Sequence, residues 1–280
     1  MYNLRYHIAS LVAVFLSLSI GLLLGTIVVE RGMLDRQRET IVQSLQEEFR
    51  SLDAENRQMR EALSSSNELI ETLLAVSIEG ELEGRTVLVV TSVGRVDGLA
   101  GSTEAIVNAG GTPVTMLLSR PSFGIEEPAL SSVATAVIGP VEPDALLTEV
   151  ATTLATEWHT AGAERPLTDA LVSEGVLRID GDPGVLVPAD ALVFLALFDG
   201  VPDEGALALA SAFASEDRPA CGVQAVGLET GIAAAAVESG LSAVDHVGTP
   251  AGTFSLTWVL TGRATGHFGT GDAAQSPWPR

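Results

Sequence analysis

The longest apolar segment of the chain runs from Ile8 to Val29 and contains no charged residue. At a rise of about 1.5 Å per residue, a helix of this length reaches about 33 Å, enough to cross a hydrocarbon core of about 30 Å. A cleaved signal peptide has a shorter apolar region that ends in small residues, whereas this segment ends in β-branched residues followed by Glu30. The pattern therefore predicts a retained signal-anchor that crosses the membrane once.

Two glycines lie one turn apart within this segment. Gly21 and Gly25 form a G-x-x-x-G pair, and Ser17 lies one turn earlier. Small residues on one face allow a second membrane helix to approach closely. The spacing is compatible with packing of two spans through these glycines, and also with the general abundance of glycine in membrane helices.

A seven-residue apolar repeat follows the span, from Asp35 to Val76. No Pro or Gly interrupts residues 33–78, so one helix can continue through this region, and eight of the ten core positions are apolar. Five heptads of this quality predict a coiled-coil stalk. The a positions are Val42, Phe49, Asn56, Leu63 and Ile70, and the d positions are Leu45, Leu52, Met59, Ser66 and Leu73.

The polar residue at the centre of this repeat indicates how two stalks would pair. An Asn at an a position, here Asn56, fixes the register and favours a parallel two-stranded pairing. Two chains anchored by neighbouring N-termini also pair naturally in parallel, so we predict a parallel homodimer. The alternative is a single amphipathic helix that folds back on its own domain.

After Gly84, short apolar runs alternate with amphipathic segments, which is typical of an α/β domain with a parallel sheet. We predict a three-layer, Rossmann-like, mostly parallel α/β domain over residues 84–262, with a surface segment at 121–143 and a flexible tail at 263–280. The predicted strands are 86–92, 112–119, 191–198, 220–226 and 243–247. The predicted helices are 102–109, 144–160, 167–176, 203–215, 229–239 and 249–262.

Composition narrows the choice of partners. The net charge is −21, and residues 81–280 contain 25 acidic residues against 8 arginines. Phosphate backbones repel such a domain, so nucleic acid is excluded as a partner, and membrane lipid is contacted through the span alone. The single Cys221 excludes an intrachain disulfide, and its apolar surroundings in the sequence predict a buried thiol.

In a doubly wound fold, a phosphate-binding loop follows the first strand. Residues 94–101 contain three glycines, but their spacing matches neither the dinucleotide-binding fingerprint nor the P-loop, and no Lys is present to reach a phosphate. Asp97 is positioned where doubly wound folds bind ligands, so contact with a ligand is possible. A solvated loop carboxylate is the favoured interpretation.

Catalytic and metal-binding patterns are missing from the sequence. No two histidines are three or four residues apart, and neither a G-x-S-x-G nor a Met-x-Met motif occurs. Asp245 and His246 offer two ligand atoms, but adjacent strand residues point to opposite faces, which favours a surface or capping role. We predict a non-enzymatic protein with no evident cofactor and leave its metal ligands unknown. The histidines are His7, His159, His246 and His267.

Both ends of the chain resemble a known family. The N-terminal block NLRYHIASLVAVFL, which begins at Asn3 and runs on to Gly21 and Gly25, resembles the opening of the actinobacterial copper transport protein MctB family. The same holds for the C-terminal segments Val244–Asp245, Thr249–Gly252 and Gly266–Gly269. The order of span, coiled coil and α/β domain also agrees, so the resemblance covers nearly the whole chain.

The resemblance implies an actinobacterial envelope protein that keeps intracellular copper low. It also implies that residues 1–7 are cytoplasmic and the α/β domain extracytoplasmic, a direction that the charges beside the span leave open. Copper is implied as a ligand by this resemblance only. Two hypotheses follow: a membrane-anchored accessory or binding module of copper homeostasis, and a structural scaffold of the envelope whose α/β head binds a partner protein.

Overall fold

The computed structural model describes residues 4–94, 97–162, 164–180, 187–215, 217–228 and 230–279, with only the backbone of residues 28–38, 40 and 75. The chain divides into two compact units, Met1–Glu68 and Leu69–Arg280. The side chains at the start of the predicted heptad pattern and at the end of the predicted span lie outside this description.

The first helix is long and unbroken. It begins at Leu4 and ends at Ile78, as expected from a sequence without Pro or Gly over residues 33–78. Among the described residues, its segment Leu4–Ile27 is the one helical stretch with the length and hydropathy needed to cross a membrane, and its side chains are exposed. The helices are α1 (Leu4–Ile78), α2 (Leu99–Asn108), α3 (Pro128–Ile138), α4 (Leu146–His159), α5 (Pro166–Ser173), α6 (Glu204–Phe213), α7 (Ile232–Glu238) and α8 (Pro250–Leu260).

A seven-stranded sheet forms the centre of the second unit, in the order β3-β2-β1-β4-β7-β8-β9. All neighbouring strands are parallel except β3, which pairs with β2 in the antiparallel direction. The predicted mostly parallel α/β fold is therefore confirmed. The strands are β1 (Thr86–Ser92), β2 (Thr112–Leu118), β3 (Leu177–Asp180), β4 (Ala191–Phe194), β5 (Leu197–Phe198), β6 (Val201–Pro202), β7 (Ala220–Ala225), β8 (Ser242–Val247) and β9 (His267–Phe268).

Helices cover the central strands, which carry continuous apolar runs. Every residue of β1 and β4 is buried, as expected for strands covered on both faces. Helix α2 packs against α8, whereas α3, α4, α5 and α6 form a second connected group. Cys221 in β7 is buried as predicted.

The segment 121–143, predicted as surface, contains regular structure. A 3₁₀ turn at Pro121–Gly124 buries Phe123, and α3 buries Leu130 and Ala134. The Pro- and Ser-rich composition suggested a loop and not a helix. Pro128 does not break α3, because it occupies the first helical turn, where proline is tolerated. The segment therefore contains a helix that the sequence did not predict, although most residues of α3 remain at least partly exposed, as expected of a surface segment.

The predicted strand 191–198 is interrupted. It ends as β4 at Phe194, and the chain then forms a hairpin of β5 and β6 in a separate two-stranded sheet. Asp199 and Gly200 have φ values of 51° and 81°, so they make the two-residue turn that Asp-Gly pairs favour. This dipeptide was the sequence signal for the hairpin.

The tail is not loose throughout. His267 and Phe268 form β9, which extends the sheet in parallel with β8, and Phe268 is buried. Ser276 bridges back to Phe268. The Gly- and Pro-rich composition predicts a flexible tail over residues 263–280, but this part of the tail is an edge strand of the sheet.

Candidate functional site

The crevice where doubly wound folds bind ligands is crossed by the chain's own backbone. The strand order changes direction between β1 and β4, and ligands bind outside the carboxyl ends of such strands. Here the Leu195 N–H donates to the Val90 carbonyl oxygen at 2.9 Å, and the Leu197 N–H donates to Ser92 Oγ at 3.2 Å. These two N–H groups have partners within the protein, whereas the buried hydroxyl oxygen of Thr91 has none among the described residues.

The glycine-containing loop after β1 runs from this crevice towards β7 and β8. A Cβ on Gly98 would lie 3.4 Å from Val247 Cγ1 and 3.5 Å from the Ala225 nitrogen. Asp97 is exposed, in agreement with the favoured interpretation of a loop carboxylate, and it takes part in an interaction within the protein. Arg95 and Val96 lie outside the described residues.

A buried carboxylate holds the tail against the end of β8. Asp245 is 6% exposed, and each of its oxygens accepts a hydrogen bond. With its proton on Nε2, His267 donates to Asp245 Oδ2 at 2.9 Å. The N–H groups of Thr270 and Gly271 donate to Oδ1 at 2.8 Å and to Oδ2 at 3.1 Å. Asp245 therefore fixes both β9 and the turn after it.

The sequence favours a surface or capping role for Asp245 and His246, and the surface part of this prediction is wrong. Both side chains are buried, because β9 and the following turn cover the end of β8. Asp245 does accept hydrogen bonds from backbone N–H groups, but they belong to the tail and not to a helix. Sequence reasoning missed His267 as its partner, although both residues lie in the C-terminal segments that carry the family resemblance.

His246 is buried without a hydrogen bond to its ring. It is 2% exposed, and neither ring nitrogen has a partner among the described residues. Burial is the main effect that lowers the pKa of His246 below its usual value of 6.5; the Asp245 carboxylate and the carbonyl groups of Pro277 and Phe268 oppose this more weakly, and His267 adds to it. The imidazole is therefore neutral in the folded protein at neutral pH.

We expect this histidine to make the head less stable in mild acid. Above pH 6.5 His246 is neutral in the folded and unfolded states and does not affect stability. As the pH falls below 6.5, the unfolded chain takes up a proton that the folded protein does not, so stability falls by at most about 1.4 kcal/mol per pH unit until the lowered folded pKa is passed. Denaturant unfolding at pH 7.0, 6.0 and 5.0 measures this slope.

The control for this prediction is His246→Phe, which keeps a ring of similar size in an apolar site. The variant is expected to have a smaller loss of stability between pH 7 and pH 5 than the native chain. Burial also lowers the pKa of His159, but that residue is present in both proteins and cancels in the comparison. Equal slopes for the two proteins would contradict the prediction.

A groove in the second unit has a volume of about 570 Å³. It lies beside the end of α1, along α2 and the β8–α8 turn, and three carboxylates reach it, those of Glu71, Glu79 and Glu104. Its apolar and acidic lining suits a basic, partly apolar segment better than an anion. The apolar side of the lining comes from Leu74, Val76, Ile78, Gly101, Gly248 and Pro250.

The predicted contact residues on α1 lie on an exposed helix surface. A Cβ built on Gly21 or Gly25 would meet no atom within 4 Å, so this face of the span is open. The apolar core positions of the stalk are 43–70% exposed, and Asn56 is exposed with them. The described residues therefore leave the stripe uncovered. Its apolar members are Val42, Leu45, Phe49, Leu52, Met59, Leu63, Ile70 and Leu73.

Comparison with known proteins identifies the family. A family model described as "Copper transport outer membrane protein, MctB" matches residues 1–279. The chain belongs to the MctB family. It is therefore a copper-transport-related protein, and its N-terminal apolar helix fits a membrane anchor. No curated protein and no solved structure matches the chain.

The C-terminal residues on which the MctB resemblance rests meet in one corner of the fold. Asp245 holds the tail, the hydroxyl of Thr249 caps α8 by accepting the Gly252 N–H at 3.0 Å, and Gly252 lies against the backbone of β8. A Cβ on Gly269 would fall 1.6 Å from Asp245 Oδ1. These residues hold β8, α8 and β9 together.

This corner of the MctB-family chain does not have the geometry of a copper site. Both oxygens of Asp245 already accept hydrogen bonds, Oδ1 from the Thr270 N–H and Oδ2 from His267 and Gly271. Across the residues that the structure describes, no three His, Cys, Asp or Glu side chains converge where they could hold a metal ion. Cys221 carries the side chain that copper would prefer as a ligand, but this thiol is buried within the sheet.

Proposed function

We propose that this MctB-family protein is a single-pass, non-enzymatic accessory protein of copper homeostasis in the cell envelope. Its N-terminus is cytoplasmic and its α/β head extracytoplasmic, and the stalk joins two copies as a parallel homodimer. The observation that carries the proposal is the uncovered heptad stripe on the same helix as the apolar span. The family match supplies the link to copper.

One spanning helix per chain supports an accessory role and not a conduit. The lipid interior tolerates no unsatisfied backbone, so a path for an ion needs several helices or a closed barrel around it. The chain has one candidate span among its described residues. We infer that the protein acts on copper through another envelope component, which the head would contact.

The acidic groove of the head is the surface we assign to that contact. It combines apolar side chains such as Leu74 and Val76 with the carboxylates of Glu71, Glu79 and Glu104, and it belongs to the compact second unit. A partner segment with arginine or lysine beside apolar residues fits this lining. The head's excess of acidic over basic residues would attract such a partner.

The test is copper handling in cells that lack the native gene. Cells that express the full chain are expected to hold less copper than cells without it. Substitution of stalk core residues, Leu52→Asp with Leu63→Asp, is expected to abolish this effect. The matched control places the same two charges outside the core, as Ala54→Asp with Gln58→Asp, and is expected to retain it. Equal copper contents with and without the full chain would reject the proposal.

Direct copper binding is a separate outcome of the same proposal. We expect the purified full chain in detergent to bind Cu(I) and Cu(II) no more tightly than its denatured form, because the described residues provide no ligand set. Tight binding that survives in Cys221→Ser would change the assignment from accessory protein to metal-binding module.

The second candidate is a scaffold of the envelope whose effect on copper is indirect. The groove and the stalk favour it equally, because both are surfaces for protein partners. It predicts that a partner protein co-purifies with the full chain and is lost in the Leu52→Asp, Leu63→Asp variant. It also predicts that other envelope functions, such as resistance to detergents, fail together with copper handling.

A further inference from the structure

Charged residues lie beside the stalk core at positions where they can pair with those of a second copy. With Val42 at position a, the g positions before Phe49 and Asn56 are Glu48 and Glu55, and the e position after Met59 is Arg60. Residues at e and g flank the core and set the orientation and choice of partner in coiled coils. All of these side chains are exposed.

Glu55 and Arg60 can form an ion pair between two helices but not within one helix. They are five residues apart, whereas side chains on one helix meet at separations of three or four. In a parallel, in-register pair, a g residue faces the e residue that follows it by five positions on the other chain. Two Glu55–Arg60 contacts would therefore form across the dimer, one on each side of Asn56.

One contact between the two copies, Glu48 with Asp53, is repulsive in the parallel arrangement, but a neighbouring arginine reduces this repulsion. Glu48 would face Asp53 of the second copy, which places two carboxylates together. Asp53 already forms an ion pair with Arg57 of its own helix at 2.5 Å. The Arg57 guanidinium therefore shields the carboxylate that Glu48 would meet.

An antiparallel pair would lose the favourable contact. In that arrangement g residues face g residues and e residues face e residues. Across such a pair, Glu55 would face g residues of the other chain, which include Glu48 and Ala62, and Arg60 would face e residues, which include Asp53. An antiparallel pair therefore separates Glu55 from Arg60, and the anchoring of both N-termini in one membrane favours the parallel alignment.

We propose that the stalk binds a second copy of the same chain in parallel and in register, with Glu55 of each copy paired to Arg60 of the other. This inference rests on the dimer of the proposed function and adds its alignment. Exposed ion pairs contribute little each, but reversing the charge at one position turns two attractions into two repulsions.

The test uses two reciprocal variants of the full chain, Glu55→Arg and Arg60→Glu, each with a different affinity tag and purified in detergent. Each variant alone is expected to dimerise on the order of tenfold more weakly than the native chain, because its own pairs are Arg–Arg or Glu–Glu. When the two are mixed, both contacts become opposite in charge, so the heterodimer should co-purify in preference to either homodimer.

The controls change the same charges outside the contact. Glu61→Arg and Arg50→Glu lie at outward f and b positions, and mixing them is expected to give the statistical proportion of heterodimer. The preference of Glu55→Arg and Arg60→Glu for the heterodimer should also decline as salt is raised from 0.05 M to 0.5 M, because salt screens exposed charges.

The outcomes separate this inference from the proposed function. If differently tagged native chains do not co-purify, the dimer itself is rejected. If native chains co-purify but Glu55→Arg and Arg60→Glu show no preference for each other, the dimer stands and the parallel register with Glu55–Arg60 pairing is overturned. Preference in the Glu61→Arg and Arg50→Glu mixture would likewise overturn it.

Discussion

Replacing Gly252 by alanine is expected to destabilise the head by about 3 kcal/mol or more. Gly252 lies in the first turn of α8, and a Cβ there would be 2.2 Å from the His246 carbonyl oxygen and 3.0 Å from Val247 Cα. Both neighbours are backbone of β8, so no side chain can rotate to make room. The helix would have to move away from the sheet.

Helix propensity predicts the opposite sign for this substitution. Alanine is favoured over glycine inside a helix by about 1 kcal/mol, but the backbone clash outweighs this gain. All three tryptophans lie in the second unit, so denaturant unfolding of the full chain followed by tryptophan fluorescence measures the change. Thr253→Ala, one residue further along α8, is the control and should cost less than about 1 kcal/mol. A stabilised Gly252→Ala protein would contradict the prediction.

Replacing Asp245 by alanine is expected to cost about 3 kcal/mol and to release the tail. The substitution leaves the buried His267 ring and the N–H groups of Thr270 and Gly271 without their acceptor. Unpaired buried polar groups cost about 1–3 kcal/mol each, and rearrangement of a released tail limits the total. The expected result is a lower free energy of unfolding together with faster proteolytic cleavage after Gly262.

Two comparisons make this second prediction specific. Asp245→Asn keeps one acceptor oxygen and should lose less stability than Asp245→Ala. Asp272→Ala removes an exposed carboxylate from the same tail and should leave proteolysis unchanged. If Asp245→Ala retains native resistance to proteases, the carboxylate does not hold the tail.

The sequence predicts those elements whose hydrophobic pattern has one interpretation. β1 is a continuous apolar run, and only a strand covered on both faces explains it. Thr249 and Pro250 indicate the start of α8, because a hydroxyl side chain can accept a hydrogen bond from a free N–H of the first turn and proline fits the first helical position. In the structure, the Thr249 hydroxyl accepts this hydrogen bond from the Gly252 N–H. The long helix α1 follows from the uninterrupted run before Gly80.

The elements that sequence reasoning missed depend on contacts far away in the chain. β9 has only two residues, and it becomes a strand because Asp245 on β8 binds the turn that follows it. β3 has four residues and pairs in the antiparallel direction at the edge of the sheet, where half of its side chains remain accessible. Neither segment has enough apolar residues to be recognised by periodicity.

The two candidate surfaces, the stalk stripe and the acidic groove, also differ in how far the sequence alone indicates them. The heptad stripe of the stalk is visible in the sequence because a heptad repeat is a local pattern; its residues are exposed in the structure, and their pairing stays a prediction. The acidic groove was not predictable, because it brings Glu71 near the end of α1 to one surface with Glu104 on α2 and the turn at Gly248. Only the fold brings these distant residues together.

The sealed position of Cys221 makes the protein convenient for site-directed chemistry. Burial raises the pKa of this thiol well above its usual range, so at neutral pH it is neither ionised nor reachable by a maleimide reagent. A cysteine introduced on the exposed face of the stalk or at the rim of the groove would then be the only reactive thiol in the chain. Spectroscopic probes and crosslinkers can therefore be attached at one chosen position without first removing the native cysteine.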